Sequence, residues 1–224
     1  MARAVAEMVG SIFLLAGVVG SGIMASRLSD DVGIQLLANS AATAGVLGAL
    51  ITSLGPVSGA HLNPAVSLVA AARREITLNV LGVYATAQTV GAIGGVVLAN
   101  LMFDLAPISW STTERAGNGI LLAEVVATLG LLLVIWGSVA AGRADQVAWV
   151  VAGYIGGAYW FTASTSFANP AVTIARTFSD TFAGIDPASA PAFVLAQLLA
   201  VGVAIPLIAL LFDLGGDAPS DGTG

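Results

Sequence analysis

Long apolar runs dominate this sequence and limit the folds that it can adopt. A helix needs about 20 mostly apolar residues to cross the roughly 30 Å of hydrocarbon in a bilayer. Six runs meet this requirement, at residues 5–24, 34–54, 78–101, 119–139, 147–164 and 192–212. Only 9% of the 224 residues are charged, against about 25% in a typical soluble domain. We therefore expect an all-α protein embedded in the lipid bilayer, with six transmembrane helices.

The composition excludes several classes of function. The chain has no cysteine and a single histidine, His61, so neither a thiolate nor a histidine-rich metal site is expected. The seven basic residues are all arginines and are scattered along the chain, which leaves no nucleic-acid-binding patch. No catalytic constellation is visible. We expect no metal, no cofactor, no nucleic-acid partner and no enzymatic activity.

Two shorter apolar runs, 64–71 and 170–178, each follow an Asn-Pro-Ala triplet. About ten helical residues extend about 15 Å, which is half the thickness of the hydrocarbon. Asn is a favoured N-cap residue and Pro suits the first helical position, so each triplet predicts a helix start. We expect two re-entrant half-helices that begin at Asn63 and Asn169 and meet end to end at the membrane midplane.

Polar markers recur in the same order in the two halves of the chain. Glu7 and Glu124 lie in the first helix of each half, the triplets follow, and Gln88 and Gln197 lie in the last helix of each half. Each half holds three spans, an odd number, so the halves must face opposite ways across the membrane. This order predicts an inverted 3+3 repeat with a site at the midplane between the discontinuous helices.

The repeats are expected to form one transmembrane channel domain, residues 1–213. Repeat one covers about 1–103 and repeat two about 119–213, while the polar, Gly-rich tail 214–224 is predicted to be disordered. A cytoplasmic N-terminus would place four of the seven arginines inside, a weak positive-inside bias. We therefore expect a multi-pass protein of the cell (inner) membrane with both termini in the cytoplasm.

The half-helices predict what can pass between them. Both would point their positive dipole ends at the midplane, where a cation is repelled and a neutral molecule meets two amide donors. Irregular backbone at membrane depth occurs only where it is buried or lines a cavity. The residues expected to line the pore with their backbone are Gly59, Ala60, His61, Thr165, Ser166 and Phe167. The pattern favours a passive pore for small neutral solutes that form hydrogen bonds.

The motif SGAHLNPAVSL at 58–68, together with the glutamates and the Ala-Gln pair of the third helix, resembles the aquaporin and aquaglyceroporin family, the major intrinsic proteins. The resemblance covers residues 4–212. It implies six helices plus two half-helices, and a homotetramer with one pore in each subunit. It also implies that Glu7 and Glu124 each hold a pore loop by accepting its N–H groups.

The family's spacing, counted from the two Asn residues, places the selectivity filter at Thr43, Gly157, Ser166 and Val172. The family almost always has Arg where this chain has Val172, so a fixed charge and up to five donors are missing. We expect a broad, uncharged and moderately apolar filter that passes water, glycerol-like polyols and neutral metalloid hydroxides. The chain resembles an NPAV-type bacterial branch that is linked to arsenic resistance and conducts arsenous acid and methylated arsenicals.

Two alternatives to this function stay open at the level of sequence. One is a strictly water-conducting channel, and the other is a secondary transporter, because inverted repeats and broken helices serve both classes. A further choice concerns Arg176, which follows Val172 by one helical turn. Its guanidinium either lies at the outer mouth of the pore or extends to the lipid headgroups.

Overall fold

The computed structural model describes residues 1–213, and all regular secondary structure in this range is helical. The eight helices are α1 (Ala2–Leu28), α2 (Val32–Ser58), α3 (Pro64–Ala72), α4 (Leu78–Met102), α5 (Asn118–Ala140), α6 (Val147–Phe161), α7 (Pro170–Ala175) and α8 (Ala190–Ile208). The expected all-α architecture of six long helices and two half-helices is confirmed. The tail that the sequence predicts to be disordered lies outside the described residues.

Within residues 1–213, five helices are long and apolar enough to cross a bilayer: α1, α2, α4, α5, and α8 with the π-helical turn that extends it to Asp213. The sixth, α6, has 15 residues and ends at Phe161, where the prediction extended to residue 164. Thr162 has an extended backbone, because the chain here leaves the helix and enters the second pore loop, residues 162–168. A 3-10 turn, Ala144–Gln146, lengthens α6 at its other end.

Both half-helices begin where the Asn-Pro-Ala triplets predict. The side-chain oxygen of Asn63 accepts the N–H of Ala65 at 2.9 Å, and Pro64 occupies the first turn of α3. Asn169 caps α7 in the same way. The second half-helix is shorter than the run 170–178 suggested, because α7 tightens into a 3-10 turn, Arg176–Phe178.

The two halves of the chain pack with the same internal arrangement. Helix α1 contacts α2 and α4, and α5 correspondingly contacts α6 and α8. The halves join where α2 packs against α6, and where each half-helix reaches across: α3 contacts α8, and α7 contacts α4. The half-helices are therefore held by both repeats, which fixes their position relative to each other.

Helices α1 and α4 approach each other closely because two glycines remove side chains from their contact. A Cβ atom on Gly91 would collide with the carbonyl oxygen of Met8, and one on Gly95 would collide with that of Ile12. Small residues of this kind let helices in a membrane gain van der Waals contact between their backbones. This close contact between α1 and α4 anchors α1. Helix α1 in turn supports the first pore loop, residues 59–62.

We expect Gly95→Ala to destabilise the protein by about 1–3 kcal/mol, as overpacking of a tight contact usually does. The matched control is Gly94→Ala on the same helix, where a new Cβ would meet only the side chain of Ile12, at an ordinary 3.7 Å. Thermal unfolding in detergent measures both variants. Equal unfolding midpoints for the two variants would contradict the role assigned to the close contact between α1 and α4.

Candidate functional site

Two asparagines connect the halves of the molecule at the centre of a pore. The Nδ2 of Asn63 donates to the carbonyl of Ala168 at 2.8 Å, and that of Asn169 donates to the carbonyl of Leu62 at 2.8 Å. Each amide therefore caps its own helix with its oxygen and binds the opposite loop with one N–H. Both Asn residues line the cavity, and their second N–H is available to a solute.

The first pore loop is held by a buried carboxylate on α1. Glu7 accepts the backbone N–H groups of His61 at 3.0 Å and Leu62 at 2.7 Å. The hydroxyl of Ser58 and the amide of Gln88 also donate to it, each at 2.7 Å. An acid at membrane depth costs about 2.5–3.5 kcal/mol on insertion scales unless its partners satisfy it. Four hydrogen-bond donors satisfy the Glu7 carboxylate.

The second pore loop is held in the same way from α5. Glu124 accepts the N–H groups of Phe167 and Ala168, each at 2.9 Å, and the amide of Gln197 at 2.7 Å. Both glutamates are fully buried, and neither contributes to the wall of the cavity. Carboxylates engaged in this way do not provide the relay of exchangeable protons that a coupled transporter needs.

The loops adopt a strained backbone to fit between the helices. Five of their residues other than glycine have positive φ angles of 45–61°: Ala60, Leu62, Thr165, Ser166 and Ala168. Such residues cost about 1–3 kcal/mol each and persist only where their surroundings determine them. The carboxylates and the cross-linked asparagines provide these surroundings.

A cavity of about 600 Å³ extends along these loops. One wall is largely aliphatic, formed by Leu14, Val18, Leu47, Ile51, Val66, Leu131, Ile135, Val151 and Ile155. Of the six residues expected to line the pore with their backbone, the structure places five in the wall of the cavity: Gly59, Ala60, His61, Ser166 and Phe167. Thr165 is the correction: it is half-buried behind the loop and does not reach the cavity.

The two ends of the cavity differ in character. At the end beside α3, which we call the α3 mouth, the wall includes the carboxylates of Glu75 and Asp145. At the end beside α7, the α7 mouth, it includes Thr43, Val172 and Arg176. The cavity thus has acidic groups at one end and a cation at the other.

Three of the four predicted filter residues, Thr43, Ser166 and Val172, line the α7 mouth, and Gly157 does not. Gly157 lies on the exposed face of α6, with open space around its Cα. Tyr159 takes its place: its ring is buried, lines the cavity, and its hydroxyl lies 3.1 Å from that of Thr43.

The prediction for Gly157 was wrong because it counted back from Asn169 along a loop of assumed length. Helix periodicity gives the right face of α6. Val151, Ile155 and Tyr159 follow each other at intervals of four residues, and all three line the cavity. This spacing was the signal in the sequence that pointed to Tyr159.

The side chains of the α7 mouth include three that carry hydroxyl groups and the aliphatic Val172. The hydroxyls belong to Thr43, Tyr159 and Ser166. Among the residues that the structure describes, the Ser166 hydroxyl is buried and has no hydrogen-bond partner. Because this oxygen is inaccessible, Ser166 does not present its hydroxyl to a solute in the cavity. The side chain of Val172, at the start of α7, has no hydrogen-bonding group.

Arg176 lies in the wall of the α7 mouth and not at the lipid surface. Only 2% of its surface is exposed, its Nε donates to the carbonyl of Ala183, and its guanidinium carbon lies 3.4 Å from the centre of the Phe167 ring. Arg115, in the loop before α5, lies 5.1 Å from the same ring. Burial lowers the pKa of the Arg115 guanidinium from its ordinary value.

Comparison with known proteins identifies the family. Residues 1–162 match the family model "Major intrinsic protein". Aquaglyceroporin AqpS of Rhizobium meliloti is 50% identical over 206 residues, which cover 92% of this chain and 88% of the relative. Aquaporin Z of Rhodopseudomonas palustris is 36% identical over 146 residues, covering 59% of this chain and 60% of the relative. The chain therefore belongs to the major intrinsic protein family.

A solved structure supports the same fold. The X-ray structure of the aquaglyceroporin from Plasmodium falciparum aligns with a TM-score of 0.63 at 20% identity, covering 93% of this chain and 98% of that chain. Aquaporins and aquaglyceroporins are passive channels. This chain is accordingly a multi-pass membrane channel for small neutral solutes of the water and glycerol type, and not an enzyme.

We expect Glu124→Gln to destabilise the protein by roughly 1–3 kcal/mol, because one backbone N–H of the loop then loses its acceptor. The control is Thr128→Val, one turn along α5. Its buried hydroxyl has no hydrogen-bond partner within residues 1–213, so its removal should cost little. Unfolding midpoints in detergent measure the stability of both variants, and water permeability in proteoliposomes measures whether their pores are intact. A Thr128→Val variant as unstable as Glu124→Gln would refute the assignment.

Proposed function

We propose that this channel conducts solutes larger than water, namely glycerol-like polyols and neutral metalloid hydroxides such as arsenous acid and methylated arsenicals. The observation that carries the proposal is the composition of the filter. Two hydroxyls, from Thr43 and Tyr159, lie in the same mouth as the aliphatic side chain of Val172.

This filter is complementary to a solute with several hydroxyl groups and little charge. A hydroxyl both donates and accepts, so the filter can replace the water molecules around a polyol or a metalloid hydroxide. A polar group that enters an apolar site without such replacement costs several kcal/mol. The side chain of Val172 binds no water molecule, so the apolar part of a solute can pass beside it without displacing bound water.

The charge distribution favours neutral solutes over ions. Both half-helices direct the positive ends of their dipoles towards Asn63 and Asn169. A cation would meet this potential after it had lost its hydration, whereas a neutral hydroxide meets only hydrogen-bond donors. Arsenous acid is uncharged at neutral pH, and it therefore belongs to the favoured class.

A strictly water-conducting channel is the second candidate, and one observation favours it. The hydroxyls of Thr43 and Tyr159 lie 3.1 Å apart. This contact brings two side chains together within the α7 mouth, which favours a solute as small as water. We rank the water-conducting channel second because the two hydroxyls can exchange their mutual hydrogen bond for hydrogen bonds to a solute. The name of the relative AqpS, an aquaglyceroporin, also supports solutes larger than water.

The variant Val172→Arg tests the proposal. A guanidinium at this position narrows the filter and binds water, so we expect glycerol and arsenous acid permeation to fall about tenfold, equivalent to about 1.4 kcal/mol of barrier. Water permeation should fall less. Stopped-flow light scattering on proteoliposomes with each solute measures the three rates.

The control for this experiment is Val172→Met, which adds bulk of similar length without charge. If the methionine variant loses as much permeation as the arginine variant, size alone governs the filter. If Val172→Arg leaves all three rates unchanged, the solute assignment is wrong. A wild-type protein that passes water but neither glycerol nor arsenous acid would favour the second candidate.

We further propose that the protein is a homotetramer in the inner membrane with both termini in the cytoplasm. The family resemblance supports the tetramer. Arg73 forms two contacts of 3.0 and 3.1 Å with Asp213, which ties the end of α8 to the end of α3. With the α3 mouth inside, Arg3, Arg74 and Arg143 join Arg73 on the cytoplasmic side.

Because the chain contains no cysteine, single cysteines can report its orientation. We expect Asp30→Cys, in the exposed turn between α1 and α2, to react with a membrane-impermeant maleimide in intact spheroplasts. Arg74→Cys, exposed after α3, should react only after lysis. The reverse pattern would show that the α7 mouth faces the cytoplasm.

A further inference from the structure

Arg176 is a buried cation without a matching anion. In the part of the chain that the structure describes, the ion pairs within 4.0 Å involve only Arg73 and its partners Glu75 and Asp213. Ionisable residues at membrane depth are costly, and they normally face a cavity and mark a function. The proposed solute pathway needs no charge at this position, so Arg176 requires a separate explanation.

The position of the guanidinium is fixed from two sides. Its Nε donates to the carbonyl of Ala183, and its plane packs against the ring of Phe167, with 3.4 Å between the guanidinium carbon and the ring centre. Arg offers five N–H donors. Within residues 1–213, the two terminal nitrogens form no hydrogen bond with the protein, while the residue lines the cavity. The charge therefore faces the path of a solute.

We propose that Arg176 forms an electrostatic barrier at the α7 mouth, in addition to the helix dipoles at the midplane, and that it stops protons and other cations there. It lies one helical turn beyond Val172, so an incoming cation meets it before the filter. A charge in a water-poor mouth acts much more strongly than the same charge in bulk water. Arg115, near the same aromatic ring, adds to the positive potential.

This barrier acts on ions and leaves neutral solutes unaffected. A neutral hydroxide or polyol meets donors on Arg176, as it meets them on Asn63 and Asn169. The inference requires that the chain forms a pore, but it does not depend on which neutral solute the pore conducts. Its test therefore fails or succeeds independently of the experiment on Val172.

The test measures proton flux through Arg176→Gln. Proteoliposomes enclose a pH-sensitive dye, and a potassium gradient with valinomycin drives protons inwards. We expect the variant to conduct protons at least tenfold faster than the wild type, with measurable water permeation through the same vesicles as evidence of an intact pore. Arg176→Lys keeps the charge but not the planar stacking, and it should stay within about twofold of the wild type.

The matched control is Arg27→Gln. Arg27 also lies over an aromatic ring, that of Phe103 at 5.0 Å, and donates to a backbone carbonyl, but it is exposed and remote from the cavity. We expect its proton flux to equal that of the wild type. Arg176→Met, with an uncharged stem of similar length, repeats the test if the glutamine variant does not reconstitute.

Two results would overturn the proposal. One is an unchanged proton flux in Arg176→Gln or Arg176→Met vesicles that still conduct water. The other is an Arg176→Lys variant as permeable to protons as the glutamine variant, because the effect would then come from the lost stacking on Phe167 and not from the charge.

Discussion

The structure depends on satisfying backbone N–H groups at membrane depth, where no water is available. Two irregular loops enter the centre of the molecule, and an unpaired polar group there costs several kcal/mol. One carboxylate on the first helix of each repeat, Glu7 on α1 and Glu124 on α5, accepts these groups directly. Without the carboxylates, the left-handed backbone of the loops would have no support and the pore no fixed wall.

The asparagines extend this principle from each loop to the whole molecule. Each amide satisfies the first turn of its own half-helix and at the same time binds the opposite loop, so the two repeats stabilise each other at one point. Gln88 and Gln197 complete the arrangement, since each donates to the glutamate of its own repeat. The duplicated sequence markers are thus the duplicated parts of one hydrogen-bond network.

Much of this could be predicted from the sequence, because the network consists of polar residues in an apolar chain. Asn63 and Asn169 are strong helix-start signals with a Pro after each, and buried acids in spans are rare enough to be noticed. The residues of the proposed filter were harder to predict. Their position relative to Asn169 depends on where α6 ends, and length counting cannot detect a helix that ends early at Phe161. Only the side-chain directions on α6 reveal that Tyr159 replaces Gly157.

The placement of Val172 and Arg176 on successive turns of one chain segment has an evolutionary consequence. A pore that assigns steric choice and charge rejection to a single arginine cannot change one property without changing the other. Here the two residues are separate, and each occupies its own part of the wall. With the roles proposed for Val172 and Arg176, substitutions at 172 adapt the channel to other neutral solutes while the membrane potential of the cell is retained.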